Sequence, residues 1–445
     1  MNRLGSLCVG LSLVGASGFV AAGSAGATDI FLHGNNVVVS PAGLAGLLGG
    51  GGWLAGVPDP DPDENEPDKS AWQVFVNINK AAPSQQQVGP NHVTTNNAIW
   101  ETWADDGLTF PSNPNLNSPP QWPTGATTFP LKKLRLPFQN AFRQTMIERK
   151  SPAELKTLEM RLRTGHPEFQ FRQLFTINPK APPSGITPEI LTVQTGGGEE
   201  VRRNKSSFDF IIGHKLWYTQ GLAAAFSAGK TIVFPVDAIE IKARWKPIQE
   251  SDKPNYHWNY DSNGTLYGLV AFHIMTKALP NWLWATWEWT GNPGRCDYIG
   301  CHDSFGQSPA DVAPKTPLGG QYPAGTLTSG VLALFSSAGL GPEWKNYRLK
   351  GSQTLFTDTT AQPTLLGNSI TEAGFVQSSS CITCHGQASV DKNGAPNPSF
   401  GFVAGGQSSN GPLLPSMFYT NTNPPKLQFL PIDFVWAVAG ASAAP

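Results

Sequence analysis

Apolar and polar side chains alternate strictly in the segment Ile239–Trp245, where every second residue is apolar and the residues between are charged. This period of two is typical of a β-strand with one face in a core and the other in water. Three other runs are strand candidates as well: Trp72–Ala81, Leu266–Met275 and Trp282–Trp289. The pattern predicts a sheet-rich body in the middle of the chain.

Helix-capping residues predict a helix that begins at Ser151, has Pro152 in its first turn and Glu154 three residues after the cap, and ends at Gly165. A second helix is predicted around Phe208–Ala228. Strands and helices together make α+β the expected fold class.

The first residues have the features of a secretory signal. Arg3 precedes the apolar stretch Leu4–Ala22, and Ala25-Gly26-Ala27 matches a small-residue cleavage pattern. A Gly-rich segment and the acidic, proline-punctuated run Pro58–Asp68 follow and predict a linker. We therefore expect a signal peptide at 1–27, a linker at 28–69, a sheet-rich domain at 70–325, a small helical domain at 326–445, and a periplasmic or secreted location.

Composition and charge narrow the classes of partner. The 445 residues carry a formal net charge of -1, so no electrostatic reason exists to expect nucleic acid as a partner. No segment after the signal reaches the roughly 18 uninterrupted apolar residues of a spanning helix, so no membrane span is expected. Charged residues make up only 14% of a chain with 47 glycines and 39 prolines, which indicates a loop-rich globule.

The run Cys381-Ile382-Thr383-Cys384-His385 has the C-x-x-C-H spacing of covalent haem attachment. In such a site each thiol adds to one vinyl group of the porphyrin, and the imidazole that follows ligates the iron. Ser369 and Glu372 form a second capping box, which predicts a helix from about Ile370 through the motif to a stop at Gly386.

Two other uses of the cysteines compete with haem. Cys381 and Cys384 can form a redox disulfide, but the pattern lacks the strand that precedes this motif in thioredoxin-like proteins. Alternatively, these two thiols and those of Cys296 and Cys301 can bind zinc. An oxidising compartment disfavours that site, as does the wide C-x4-C spacing.

The motif resembles that of the cytochrome c superfamily, specifically the large exported bacterial proteins with a single C-x-x-C-H near the carboxyl end. The similarity is specific over Cys381–His385 and extends loosely to the flanking segments 347–353 and 378–380. It implies that Cys381 and Cys384 are the thioether attachment sites and that His385 is the proximal iron ligand. It implies no substrate, and the long chain before the motif sets this protein apart from small electron carriers.

His302 directly follows Cys301, as the histidine of a haem attachment motif follows its second cysteine. Here, however, Cys296 and Cys301 are separated by four residues, two more than in that motif. The pair predicts either a second haem with His302 as its iron ligand or a local disulfide in a loop rich in glycine and proline. The expected cofactor is therefore one haem c, or two.

The sixth iron ligand decides between electron transfer and substrate chemistry, because an open position admits a small molecule. Met417 lies downstream of the motif, as in small cytochromes c, and is the first candidate, although a core methionine beside Leu413 and Leu414 explains it equally well. His273 is the second candidate, but a lone histidine on an apolar strand is more often hydrogen-bonded in a core.

These residues predict an exported c-type haem protein that transfers electrons, with a protein or a small molecule as its redox partner. The alternative is a haem enzyme, a peroxidase or an oxygenase, with an open distal iron position. The expected architecture is a sheet-rich α+β domain followed by a small helical, cytochrome c-like haem segment.

Overall fold

The computed structural model describes residues 66–123, 198–358, 362–372, 376–397, 410–413 and 415–445, and the backbone of short strands at 30–33, 36–39 and 132–133. Within these residues the helices α1 to α7 are Pro67–Ile78, Asp106–Thr109, Lys205–Gly213, Thr219–Ser227, Ser329–Ala338, Cys381–Gly386 and Trp436–Ala439. The strands β1 to β18 are Ile30–His33, Asn36–Val39, Gln87–Val88, Val93–Thr94, Ala104–Asp105, Lys132–Lys133, Gly198–Arg203, Ile239–Pro247, Trp258–Tyr260, Leu266–Thr276, Leu283–Trp289, Cys301–His302, Gln307–Ser308, Asp311–Val312, Thr326–Leu327, Tyr347–Gln353, Ser389–Val390 and Leu430–Pro431.

An antiparallel sheet organises the described residues. Its strand order is β16-β11-β10-β8-β7-β5, with β9 added to β10 and β6 added to β7. In its centre Phe272 lies opposite Ala243 on one side and Trp287 on the other. The predicted α+β class with a sheet-rich main body is confirmed.

One face of this sheet and helix α1 form an aromatic core. The ring of Phe75 stacks on Trp287 at a centroid distance of 4.9 Å, and Trp72 meets the same Trp287 edge-on at 5.8 Å. Phe335 from α5 adds a third layer against Phe75. Because these side chains are almost fully buried, the core supplies much of the apolar burial that stabilises the fold.

The strands predicted at 239–245, 266–275 and 282–289 are confirmed as β8, β10 and β11. The strand predicted over Trp72–Ala81 is wrong, because this segment belongs to helix α1. Pro67 occupies its first turn, and the less buried polar residues Lys69, Gln73 and Asn77 recur every four positions along one face. That spacing marks the polar face of a helix, which the strand interpretation of this segment overlooked.

The opposite face of the sheet carries the charged residues of β8, and the expectation that this face lies in water is wrong. Glu240 and Arg244 are buried there, and both are paired with groups of the neighbouring strand β7. The Arg244 guanidinium lies 2.7 Å from the Glu199 carboxylate, which also faces Lys242 at 3.2 Å. Pairing across the strands lets the protein bury these charges.

The carboxyl-terminal part of the chain covers this charged face. Met275 and Trp284 of the sheet pack in one apolar cluster with Ile382, Val390 and Ile432. Strand β16 lies after residue 325, yet it pairs with β11 at the edge of the sheet. Segments on both sides of the predicted boundary therefore build one sheet.

The helix predicted around Phe208–Ala228 is interrupted. Helices α3 and α4 are separated by a turn in which Lys215 has a left-handed backbone with φ 61°. The start of the predicted acidic linker is outside the described residues, but its last residues, Pro67 and Asp68, already form the first turn of α1. The predicted signal peptide and the helix at 151–165 also lie outside the described residues. Among the helices that are described, none is long and apolar enough to cross a bilayer.

Candidate haem attachment site

The C-x-x-C-H motif forms helix α6, which sits at the end of the covered sheet face. Gln353, the last residue of strand β16, accepts a hydrogen bond from the Ile382 N–H at 3.0 Å and donates one to the Ser380 hydroxyl at 2.9 Å. The Thr383 hydroxyl donates to the Gly411 carbonyl, and the Trp436 indole donates to the Cys384 carbonyl. The sheet edge and the last helix of the chain thus hold this turn from both sides.

The predicted helix from Ile370 to the motif is wrong, since α6 begins only at Cys381. The Ser369 amide and hydroxyl both bond to the buried Glu288 carboxylate of β11 instead of capping a helix. Glu372 accepts from the Asn368 N–H at 2.6 Å. Ser369 therefore uses its hydrogen-bonding groups for a contact with the sheet and not for capping the predicted helix.

Cys381 and Cys384 are reduced thiols, not joined in a disulfide, and both are partly buried. The Cys381 sulfur lies 3.5 Å from the Leu366 carbonyl, so its S–H can donate there. Desolvation raises the pKa of Cys381 well above its usual value and raises the pKa of Cys384 to about 12. Both groups are therefore neutral thiols at physiological pH, one helical turn apart.

The His385 imidazole is held in one tautomer. Its Nδ1 lies 2.9 Å from the Phe434 carbonyl oxygen. A carbonyl only accepts, so Nδ1 carries the proton and Nε2 keeps its lone pair. Desolvation lowers the pKa of His385 to about 4, against the opposing effect of the Phe434 hydrogen bond, and the ring packs against Trp284 at 4.6 Å. The imidazole is neutral and orientated, which is the state in which histidine binds metals.

The loop that supplies this carbonyl has an unusual backbone. Asp433 and Phe434 both have left-handed conformations, with φ 47° and 71°. Such conformations cost about 1–3 kcal/mol for each residue that is not glycine and persist only where surrounding contacts enforce them. Gly386 leaves room for this loop, because a Cβ atom there would lie 3.2 Å from the Phe434 ring.

A cluster of ionisable side chains lies on the sheet face beside the motif; we call it the inner charge cluster. His273 Nε2 lies 3.7 Å from the Glu372 carboxylate and has no hydrogen-bond partner in the described structure. Desolvation lowers the pKa of His273 well below its usual value, and nearby cations, the Lys242 ammonium first among them, act in the same direction. Desolvation also raises the pKa of Glu372 to about 7, although the Lys242 charge opposes it. Lys350 completes the cluster, 3.6 Å from Glu288.

The structure therefore places His273 in the inner charge cluster, next to Glu372. Met417 is buried in a short 3-10 turn, Pro415–Met417, and its carbonyl oxygen lies 3.5 Å from the Asn397 amide nitrogen. Its role as sixth ligand stays a prediction, as does that of His273.

Cys296 and Cys301 form a disulfide with a Cα–Cα distance of 5.1 Å. Of the two alternatives for this pair the structure contains the disulfide, which uses both sulfurs that a second haem would need. His302 is accordingly a surface residue: its Nδ1 lies 2.7 Å from Asp311. Partial desolvation lowers its pKa, but the hydrogen bond to Asp311 and the charge of Asp68 outweigh this and raise it. The same bridge removes the four-thiolate zinc site.

The donor set at the motif fits a haem c. Two reduced thiols and a neutral imidazole with an Nε2 lone pair stand on one turn, beside the apolar rings of Trp284 and Phe434. These are the groups that a covalently attached haem requires: two sulfurs for its vinyl groups and one imidazole for its iron. Among the described residues no three His, Cys, Asp or Glu side chains converge to hold a bare metal ion.

Sequence reasoning identified the motif but missed the residues that position it: Gln353, Trp436, Asp433 and Phe434. Their roles depend on backbone carbonyls and on contacts between distant segments. No local spacing in the sequence signals them.

Comparisons with protein-family models, with curated proteins and with solved structures find no significant match.

Proposed function

We propose that this chain is an exported c-type haem protein that transfers electrons through one haem bound to Cys381 and Cys384 and ligated by His385. The observation that carries the proposal is the imidazole of His385. Its Nδ1 donates to the Phe434 carbonyl, which leaves the Nε2 lone pair on the same turn as the two reduced thiols. A haem bound there would supply the one-electron chemistry of its iron.

The surrounding groups support the roles of the three residues. As neutral thiols, Cys381 and Cys384 each offer a sulfur and a proton for addition to a vinyl group. The hydrogen bond at Nδ1 raises the basicity of the ring and fixes its direction. Trp284 covers one side of the imidazole and limits its contact with water.

The test is the haem content of the full chain, made in a host that matures c-type cytochromes. We expect one covalently bound haem per chain, measured by a pyridine haemochrome assay and by intact mass. Cys381→Ala and Cys384→Ala should each remove one thioether and shift the haemochrome band, whereas His385→Ala should keep the added mass but change the spectrum of the iron.

The paired variant Cys296→Ala/Cys301→Ala is the matched control, since it also removes two sulfurs and should retain one haem. A colourless wild-type protein, or a mass without an added tetrapyrrole, would overturn the proposal. Loss of the haem from the control variant would place the attachment site at the other cysteine pair.

A second candidate function is a haem enzyme, and the contact between His273 and Glu372 favours it. The Glu372 carboxyl, whose pKa is raised to about 7, can gain or lose a proton near neutral pH, and His273 lies 3.7 Å from it. High-spin iron that reacts with peroxide would support the enzyme, provided that His273→Ala abolishes this reaction. Low-spin iron that ignores carbon monoxide in both oxidation states would support the carrier.

A further inference from the structure

The left-handed pair Asp433 and Phe434 requires an explanation, because neither residue is a glycine. The carbonyl that orientates His385 belongs to the second residue of this pair. Whatever enforces the backbone conformation of the pair also sets the position of that carbonyl.

The Asp433 carboxylate is the anchor of the loop. One oxygen lies 2.7 Å from the Lys277 ammonium and 3.4 Å from the Trp282 indole nitrogen. The other accepts the Phe234 N–H at 2.7 Å. Lys277 directly follows strand β10, Trp282 directly precedes β11, and Phe234 lies in the segment before β8. Asp433 therefore links its loop to three places at one end of the sheet.

Lys277 is in turn held in place. Its ammonium also donates to the Pro280 carbonyl at 2.6 Å, and both members of the pair are more than nine-tenths buried. A buried ion pair of this kind contributes little net stability compared with apolar residues, but it specifies one geometry.

We infer that Asp433, held by Lys277, is a positioning residue that sets the hydrogen bond between the Phe434 carbonyl and His385 Nδ1. This inference rests on the proposed function, because its consequence is the tuning of an iron ligand. A well-placed carbonyl acceptor makes the imidazole more basic and so favours the oxidised iron. A relaxed loop weakens that hydrogen bond, and the reduction potential rises.

The experiment compares Asp433→Asn with wild type in the haem-loaded full chain. The asparagine keeps the shape but has only one acceptor oxygen, so its NH2 group must face a donor, either the Phe234 N–H or the Lys277 and Trp282 groups. We expect the reduction potential to rise by at least about 59 mV, a tenfold change in a one-electron equilibrium, together with a shift of the His385 ring resonances. Lys277→Arg, which keeps the charge, should lie close to wild type, and Lys277→Met should resemble Asp433→Asn.

The matched control is Asp303→Asn, which alters another buried carboxylate that accepts from an indole, Trp72, and from a backbone N–H, Gly306. It should lose stability without a shift in potential. If Asp433→Asn does not fold, Lys277→Met carries the test, since it leaves the Phe234 hydrogen bond intact. If Asp433→Asn and Lys277→Met both have the reduction potential of the wild type, the inference is overturned and the proposed function stands. If the wild type carries no haem, the proposed function itself is overturned.

Discussion

Glu372 in the inner charge cluster should make the stability of the protein depend on pH in a defined direction. Its side chain is only 15% exposed, and burial raises its pKa from 4.5 to about 7. Between these values the folded protein keeps a proton that the unfolded chain has lost, so stability falls as the pH rises through this interval. Each pH unit is worth about 1.4 kcal/mol, so the whole interval sets an upper bound of about 3 kcal/mol.

Glu372→Gln removes this titration and keeps an oxygen that can accept the Asn368 N–H. Allowing for partial exposure and for the flanking cations, we expect the variant to gain about 2 kcal/mol relative to wild type between pH 5 and pH 8. Urea unfolding of both proteins at the two pH values, with matched haem content, measures the difference.

The control is Glu66→Gln, at a carboxylate that is about half exposed and forms only a surface ion pair with Lys69. Its stability relative to wild type should change little with pH. The reasoning fails if the free energies of unfolding of Glu372→Gln and wild type differ by the same amount at both pH values, or if the variant loses stability relative to wild type towards pH 8. Either result would mean that the carboxyl is already charged near pH 5.

Three further outcomes are expected. Replacing Cys296 and Cys301 together by alanine should lower the free energy of unfolding by about 2 kcal/mol, because the bridge closes a short loop of sequence separation 5, and should leave the absorption spectrum unchanged. Phe75→Ala should cost about 3–5 kcal/mol in denaturant unfolding, since the ring is fully buried between aromatic neighbours. If Met417→Ala or His273→Ala converts low-spin iron to iron that binds carbon monoxide, the replaced residue is the sixth ligand. Unchanged spectra in both variants would reject both candidates.

The sequence predicted those strands whose two faces differ in polarity. In β8 the alternation of apolar and charged residues revealed the strand, and the length and apolar character of β10 and β11 did the same. The alternation did not reveal that the charged face is buried, because burial depends on the distant segment that covers it. Only pairing such as Arg244 with Glu199 makes that burial tolerable.

Helix α1 and the capping box at Ser369 show where local patterns fail. In α1 the polar residues Lys69, Gln73 and Asn77 are spaced as one helical face, but the buried apolar residues between them also alternate as they would in a strand. Ser369 has a capping sequence around it, but Glu288 of the sheet competes for its hydroxyl. The motif could be recognised because its functional residues lie within five consecutive positions. Phe434, which orientates His385, lies far along the chain and contributes only a backbone carbonyl, which no side-chain pattern reveals.

The contacts of Asp68 have a consequence for how the chain folds. From the first turn of α1 this carboxylate accepts hydrogen bonds from Ser304 N–H at 2.8 Å and from the hydroxyl of Ser352, which is 284 residues away. Helix α1 therefore cannot reach its final place until strand β16 has been synthesised and joined to the sheet. Closure over such a distance makes folding slow and leaves the aromatic surface of α1 uncovered in the meantime, so a chain halted before β16 should associate with other copies or with chaperones.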